Sequence, residues 1–178
     1  MRAVKHLTGE FDSSGSIDSA LRTPALPWSL VSALPVAIDE AGPDADGAIS
    51  LLTYAVGSVD RDRLDVALVP YRTGSAVLAV ARTPQMTVGV VGYSAAPDRT
   101  TLLHLATHPL YRRRGIGTAL IHWVQSSHPG IPLVAETDAD SVHFYEKSGF
   151  TSVSLGEKYP GVERYLVRRA PSHYAPPR

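Results

Sequence analysis

The sequence of residues 105–120 is LATHPLYRRRGIGTAL, and it is the stretch from which the fold is best predicted. The preceding residues are rich in threonine and leucine, which predicts a strand over Thr100–Thr107 that Pro109 stops. After the glycines the apolar residues recur at helical spacing, namely Ile116, Ala119, Leu120, Trp123 and Val124. We therefore predict a strand that turns through a short loop directly into an amphipathic helix.

This helix start has the composition of an anion-binding site. A helix N-terminus presents unpaired backbone N–H groups and a partial positive charge, both of which attract phosphate. Gly115 and Gly117 have no side chains that would block the approach of a phosphate to the backbone. The guanidinium groups of Arg112, Arg113 and Arg114 add positive charge. The segment thus predicts a site for a phosphorylated ligand.

Two common phosphate loops are excluded by the same residues. A Walker loop requires a Gly-Lys-Ser/Thr triplet, which is absent, and a dinucleotide fingerprint requires a third glycine where Leu120 stands. An isolated string of this kind also fits an ordinary glycine-containing turn with solvated arginines. The interpretation therefore depends on the surrounding sequence.

The pattern on either side of the loop predicts helices, then an antiparallel meander, then alternating strands and helices. The predicted helices are 48–59, a second one capped by Asp60 or Asp62 and ended by Gly74, the one that follows Gly115, and 139–147. The predicted strands are 35–39, 76–81, 86–95, 100–107, 131–136, 151–155 and 163–167.

A second motif lies about one helix and one strand downstream, where residues 138–150 have the sequence DADSVHFYEKSGF. Together, in this order and at this separation, residues 105–120 and 138–150 resemble the two main motifs of the GNAT acetyltransferase superfamily. The resemblance implies an α/β (α+β) fold with a mixed, mostly antiparallel sheet of about six to seven strands. Its central strands would splay apart, with helices on both sides.

The resemblance also divides the chain. It is firm from Val88 to Phe150, looser over 35–87 and 151–168, and absent before residue 34. We therefore predict a partly flexible N-terminal extension over 1–34, an acetyltransferase domain over 35–169 and a disordered tail over 170–178.

The cofactor that the resemblance implies is acetyl-coenzyme A, bound as a co-substrate in the gap between the strands 100–107 and 131–136. Asp138 stands where many family members have an asparagine that contacts the cofactor. Because an ionised aspartate accepts hydrogen bonds but donates none, this contact is altered or replaced by helix capping. The implied cofactor-binding residues are Leu105, Ala106, Thr107, Arg112, Arg113, Arg114, Gly115, Ile116, Gly117, Thr118, Asp138 and Tyr145.

Three residues are candidates for proton transfer. Tyr145 matches the family tyrosine that protonates the departing thiolate, and a phenol is a suitable donor because its reference pKa exceeds that of a thiol. Two candidates for the general base remain open: Glu136, beside the gap, and His104, whose ordinary pKa suits the role. Alternation with Leu103 and Leu105 leaves open which side of the sheet His104 faces.

Composition narrows the class of protein. The 178 residues include 17 basic and 17 acidic ones and no cysteine, so we predict no nucleic-acid or membrane partner, no disulfide and no metal in the site. We predict a cytoplasmic enzyme, monomer or homodimer, that acetylates a primary amine of a small molecule. The alternatives are acetylation of a protein N-terminus or lysine, and a non-catalytic coenzyme A-binding regulatory module, against which Tyr145 argues.

Overall fold

The computed structural model describes residues 36–56 and 61–172. Within them, seven strands form one open sheet in the order β1-β2-β3-β4-β5-β7-β6. The elements are β1 (Ala37–Ala41), α1 (Ala48–Val56), α2 (Arg61–Arg72), β2 (Val77–Arg82), β3 (Thr87–Ala95), β4 (Thr100–Thr107), α3 (Ile116–Ser127), β5 (Leu133–Asp138), α4 (Ala139–Lys147), β6 (Thr151–Tyr159) and β7 (Val162–Arg169).

The strand pairing gives the fold class. Neighbouring strands run antiparallel throughout the sheet, except that β4 and β5 are parallel. The predicted mixed, mostly antiparallel sheet with flanking helices is confirmed. The expectations for 1–34 and for most of the tail lie outside the described residues, as does the Asp60 cap.

Helices cover the two faces of the sheet unequally. On one face, the α1/α2 side, α1 packs on β3 and β4 and α2 packs on β2. The core there contains apolar side chains from both helices, including Leu51, Leu52, Leu68 and Tyr71. On the opposite face, the α3/α4 side, α3 packs on β2, β3 and β4, while α4 packs on β5, β6 and β7. The half of the sheet formed by β5, β7 and β6 is therefore covered by α4 on the α3/α4 side, and no helix of the described residues covers it on the α1/α2 side.

Several predicted boundaries are shifted in the structure. β5 begins at Leu133, two residues later than predicted, because Pro132 has no N–H for a strand ladder. β6 extends to Tyr159, beyond the predicted end at residue 155, because Gly156 adopts a φ of 75° where the pairing with β7 is irregular. The strand continues past a position at which the sequence pattern indicated a stop.

Candidate active site

The centre of the sheet contains a gap. β4 and β5 are paired only at Thr100 with Leu133 and at Thr101 with Val134. The Thr100 N–H also donates to the Pro132 carbonyl at 2.9 Å. Beyond this point β4 keeps its pairing with β3, and β5 keeps its pairing with β7, but the two strands no longer pair with each other. The predicted splay is confirmed, and the facing strand edges can bond an extended ligand.

A bulge in β4 determines which side chains border the gap. Gly92 of β3 pairs with His104 and Tyr93 pairs with Leu102, so that Leu103 is an extra residue in β4. Tyr93 and Leu102 belong to the core on the α3/α4 side. After the bulge the alternation is reversed, and His104 faces the α1/α2 side.

The predicted cofactor residues of β4 point to both sides. Leu105 packs against the core on the α3/α4 side, whereas the Ala106 side chain is buried against α1 and α2. Thr107 pairs with Gly89 at the end of the strand, and its carbonyl accepts a hydrogen bond from Arg112 Nε at 3.3 Å. The three residues therefore offer backbone groups, more than side chains, to a ligand in the gap.

The loop after β4 contains two residues in the left-handed conformation. Arg113 has a φ of 59° and Gly115, the N-cap of α3, has a φ of 81°. The first intrahelical bond runs from the Ala119 N–H to the Gly115 carbonyl at 2.9 Å. The N–H groups of Ile116, Gly117 and Thr118 precede that bond and are available to a ligand at the helix start.

The arginines of the loop lie beside aromatic rings. The Arg112 guanidinium lies 5.8 Å from the centre of the Tyr54 ring of α1, and that of Arg114 lies 5.5 Å from the centre of the Tyr111 ring. With its bond to Thr107, Arg112 connects the loop to β4 and α1. Both guanidinium groups are exposed and can still bind an anion.

The side chains of the first turn of α3 point into the protein. Ile116 is buried in the core, and the Thr118 hydroxyl lies 3.3 Å from the Ser148 hydroxyl at the end of α4. A Cβ atom added to Gly117 would lie 3.0 and 3.2 Å from two carbon atoms of the Phe144 ring. Gly117 thus has a packing role between α3 and α4 that the sequence motif did not reveal.

We expect Gly117→Ala to lower the free energy of unfolding by about 1–3 kcal/mol, because the new methyl group overpacks the contact with Phe144. Chemical denaturation measures this loss, and adding Phe144→Leu to the same chain should recover part of it. Gly130→Ala is the matched control, since nothing lies within 4 Å of a Cβ there. An equal loss in both single variants would contradict the packing role.

Asp138 caps helix α4. One of its carboxylate oxygens accepts the Ser141 N–H at 3.0 Å, and its backbone is extended, as an N-cap requires. The capping that we predicted as a replacement for the family asparagine's contact is therefore present. The carboxylate also contributes negative charge close to Tyr145.

Tyr145 lies in the core on the α3/α4 side with 8% of its surface exposed. Its ring makes edge contacts with Phe144 and Phe150 at centroid distances of 5.2 and 5.3 Å. Burial and, to a smaller extent, the Asp138 carboxylate raise the pKa of Tyr145 to about 12, while Arg164 acts in the opposite direction. At neutral pH the phenol therefore keeps its proton and is available as a donor.

His104 is held by a residue for which the sequence predicted no catalytic role. Its Nδ1 atom lies 2.6 Å from the hydroxyl oxygen of Tyr71, which comes from α2. Burial lowers the pKa of His104 and raises that of Tyr71. Both groups are therefore neutral near pH 7. Gly92, inside a strand, is the available sequence signal, because such glycines often mark a close approach of another group.

Glu136 lies on the α1/α2 side of β5, since its neighbours Ala135 and Thr137 are buried on the other face. Its carboxylate is exposed and forms an ion pair with Lys158 of β6 at 3.1 Å. Because the parallel register pairs Thr100 with Leu133, Glu136 and His104 lie at similar heights on opposite edges of the gap. The two base candidates thus face one side of the sheet, and Tyr145 lies in the core on the other.

A sheet that opens beside a helix start able to accept an anion, with side chains able to donate or accept protons on its two faces, fits the class of group-transfer enzymes. Residues 74–152 match the family model described as acetyltransferase (GNAT) domain. This segment, 79 of the 178 residues, contains both sequence motifs, and the predicted resemblance to the acyltransferases of that family is confirmed over it.

Solved structures share the fold at low sequence identity. A GNAT-family structure from Desulfovibrio desulfuricans has a TM-score of 0.63 at 21% identity and covers 76% of this chain and 99% of that one. A GNAT acetyltransferase from Elizabethkingia anophelis, with acetyl-CoA bound, has a TM-score of 0.59 at 17% identity and covers 76% of this chain and 97% of that one. The ribosomal-protein-S18-alanine N-acetyltransferase of Escherichia coli has a TM-score of 0.61 at 15% identity and covers 79% of this chain and 97% of that one. No curated protein matches the chain.

None of the helices in the described ranges 36–56 and 61–172 is long and apolar enough to cross a membrane.

Proposed function

We propose that the protein transfers the acetyl group of acetyl-coenzyme A to a primary amine by direct attack in a ternary complex. The observation that carries this proposal is the gap between β4 and β5, which leads to the free N–H groups at the start of α3. The strand edges would bond the pantetheine arm, and the helix start with its arginines would bind the pyrophosphate. The structure from Elizabethkingia anophelis, which shares the fold, contains acetyl-CoA.

The two faces of the sheet suggest how protons move during the reaction. The amine would enter from the α1/α2 side, where His104 and Glu136 border the gap. As the nitrogen attacks, the carbon–nitrogen bond forms, the carbon–sulfur bond breaks, and Tyr145 gives its proton to the departing thiolate from the opposite side. Base and acid act on different faces, so that neither proton crosses the bound thioester.

We further propose that the acceptor is a small molecule and that the enzyme works in the cytoplasm, which the lack of cysteine fits. Within residues 36–56 and 61–172, the carboxylate that borders the gap on the acceptor side is that of Glu136, and it is already paired with Lys158. This arrangement does not favour a polycationic protein tail. A peptide acceptor is the second candidate, because Val153 and Leu166 form an exposed apolar pair on the open face of β6 and β7.

Acetyl-coenzyme A should stabilise the folded protein, because a ligand that binds only the folded state adds its binding free energy to stability. At a concentration 100 times the dissociation constant, we expect a gain of about 2.7 kcal/mol, seen as a higher Tm. Adenosine, which lacks the pyrophosphate and the pantetheine arm, is the control and should give little change. No shift at saturating acetyl-coenzyme A would overturn the proposed cofactor.

An acceptor screen tests the proposed substrate class. Thiol release would be followed with polyamines, amino acids, aminoglycosides and peptides under the same conditions. Turnover of small amines supports the first candidate. Turnover of peptides alone would replace it with the second.

A further inference from the structure

The contact between Tyr71 and His104 depends on a space in β3. A Cβ atom added to Gly92 would collide with the Tyr71 hydroxyl group, so the missing side chain is what allows this hydroxyl to reach the sheet. The same strand position pairs with His104. Residues of α2, β3 and β4 therefore together bring the Tyr71 hydroxyl oxygen within hydrogen-bonding distance of His104 Nδ1.

In the described part of the chain, few other charged groups face the imidazole of His104. Across the gap β5 contributes Glu136, which is paired with Lys158. From α1, Tyr54 contacts the Arg112 guanidinium. Glu136 has an ammonium partner and is exposed to water, while His104 is half-buried and, among the residues that the structure describes, is hydrogen-bonded through Nδ1 only. An imidazole also titrates closer to neutral pH than a carboxylate does, which suits a base that must release its proton in each cycle.

We propose that His104 is the general base of the acetyl transfer and that Tyr71 is its positioning residue, accepting the Nδ1–H so that Nε2 stays unprotonated and faces the acceptor amine. This inference rests on the proposed function. A neutral imidazole carries one proton, and the partner of one nitrogen determines whether the other can accept. Tyr71 thus selects the tautomer that can act as a base.

The protons balance over the cycle. The acceptor ammonium gives one proton to His104 Nε2, which passes it to solvent. The attacking nitrogen then gives its second proton to the same Nε2 as the carbon–nitrogen bond forms, and this proton also leaves to solvent. The thiolate takes one proton from Tyr145, which regains it from solvent. One proton per turnover is therefore released to solvent, and His104 returns to its neutral form.

The direction of a pH shift separates this arrangement from the opposite tautomer. Since burial lowers the pKa of His104, activity should be retained down to a pH below the ordinary imidazole value near 6.5 and then be lost as the imidazole is protonated. A bond from Nδ1–H to the Tyr71 oxygen favours the protonated imidazole. Tyr71→Phe removes this hydrogen bond, so the pKa of His104 falls. The acid limb of the rate profile should therefore move to lower pH, with the plateau rate about tenfold lower. If Tyr71 donated instead, the limb would move to higher pH.

The experiment compares the rate profiles of the wild-type enzyme, Tyr71→Phe, His104→Gln, Glu136→Gln and the control Tyr93→Phe. Tyr93 is a buried tyrosine of the other core and should leave the profile unchanged. Nitrogen chemical shifts of His104 provide a readout without turnover, and we expect Nδ1 to be protonated and Nε2 unprotonated at pH 7. We expect the acid limb to disappear in His104→Gln and to persist in Glu136→Gln.

The outcomes that overturn the inference differ from those that overturn the function. An Nε2-protonated imidazole, a limb that moves to higher pH or stays in place in Tyr71→Phe, or a limb that disappears only in Glu136→Gln would each overturn the role of the pair. In all of these cases the wild-type enzyme still acetylates an amine. Thiol release from no amine at all would overturn the proposed function, while the nitrogen shifts would still test the tautomer.

Discussion

Replacing Tyr145 by phenylalanine should lower the turnover number about 10²- to 10⁴-fold, the usual contribution of a positioned general acid. The substitution removes one hydroxyl group and keeps the ring, so the edge contacts with Phe144 and Phe150 remain. Binding of acetyl-coenzyme A and the Tm should therefore change little. Thiol-release kinetics and the cofactor-induced shift in Tm measure the two effects separately.

The loss should be nearly independent of pH. Because burial raises the pKa of Tyr145 to about 12, the phenol is protonated throughout the range in which the enzyme can be assayed. A variant without this donor is then impaired by a constant factor, and no limb of the profile below about pH 10 belongs to Tyr145. A defect confined to acid or alkaline pH would point to another group.

Tyr93→Phe is the matched control for this substitution. Tyr93 is also a buried tyrosine of the core on the α3/α4 side, but it contacts Trp123 and His128, away from α4. We expect its turnover to stay within a factor of two or so of the wild type, as for a substitution outside the reacting groups. Equal losses in both variants would mean that Tyr145 acts through packing and donates no proton.

The parts of the fold that the sequence predicted well have local causes. β4 ends at Thr107 and α4 spans Ala139–Lys147, both as predicted. Pro109 stops the strand, Asp138 caps the helix, and Gly149, at a φ of 86°, follows its end. Each of these signals acts within a few residues of the boundary that it sets.

The site depends on contacts that no local pattern contains. Simple alternation of side chains does not predict which face of the sheet His104 lies on. The extra residue Leu103 reverses the alternation of β4 at that point. The partner of His104 is 33 residues away in the sequence, on a helix where Tyr71 fits an ordinary apolar face. Likewise Gly117 matches a ligand motif, and only the packed structure shows the Phe144 ring against it.

A second large effect, on the binding of acetyl-coenzyme A, is expected at the start of α3 when the variants Gly115→Asn and Gly115→Asp are compared. Gly115 has a φ of 81°, and a Cβ there meets nothing within 4 Å. Asparagine and aspartate both tolerate this left-handed conformation better than other residues, so the backbone cost is similar in the two variants. They have nearly the same shape and differ mainly by one negative charge at the N-cap of α3.

That charge should act in opposite directions on stability and on binding. An aspartate at an N-cap interacts favourably with the helix dipole, so Gly115→Asp should be at least as stable as Gly115→Asn. The same carboxylate occupies the position where the pyrophosphate would bind. A like charge about 4–5 Å away opposes that binding by about 3–4 kcal/mol at an effective dielectric constant near 20.

We therefore expect acetyl-coenzyme A to bind Gly115→Asp about 100-fold or more weakly than Gly115→Asn, while thermal unfolding without ligand ranks the two variants equally or in the reverse order. Calorimetric titration of both proteins measures the difference. High salt should reduce it, because exposed charges are screened. A variant that only disturbs folding lowers stability and affinity together, so opposite signs would place the pyrophosphate at the start of α3. Equal affinities would show that the phosphates bind elsewhere.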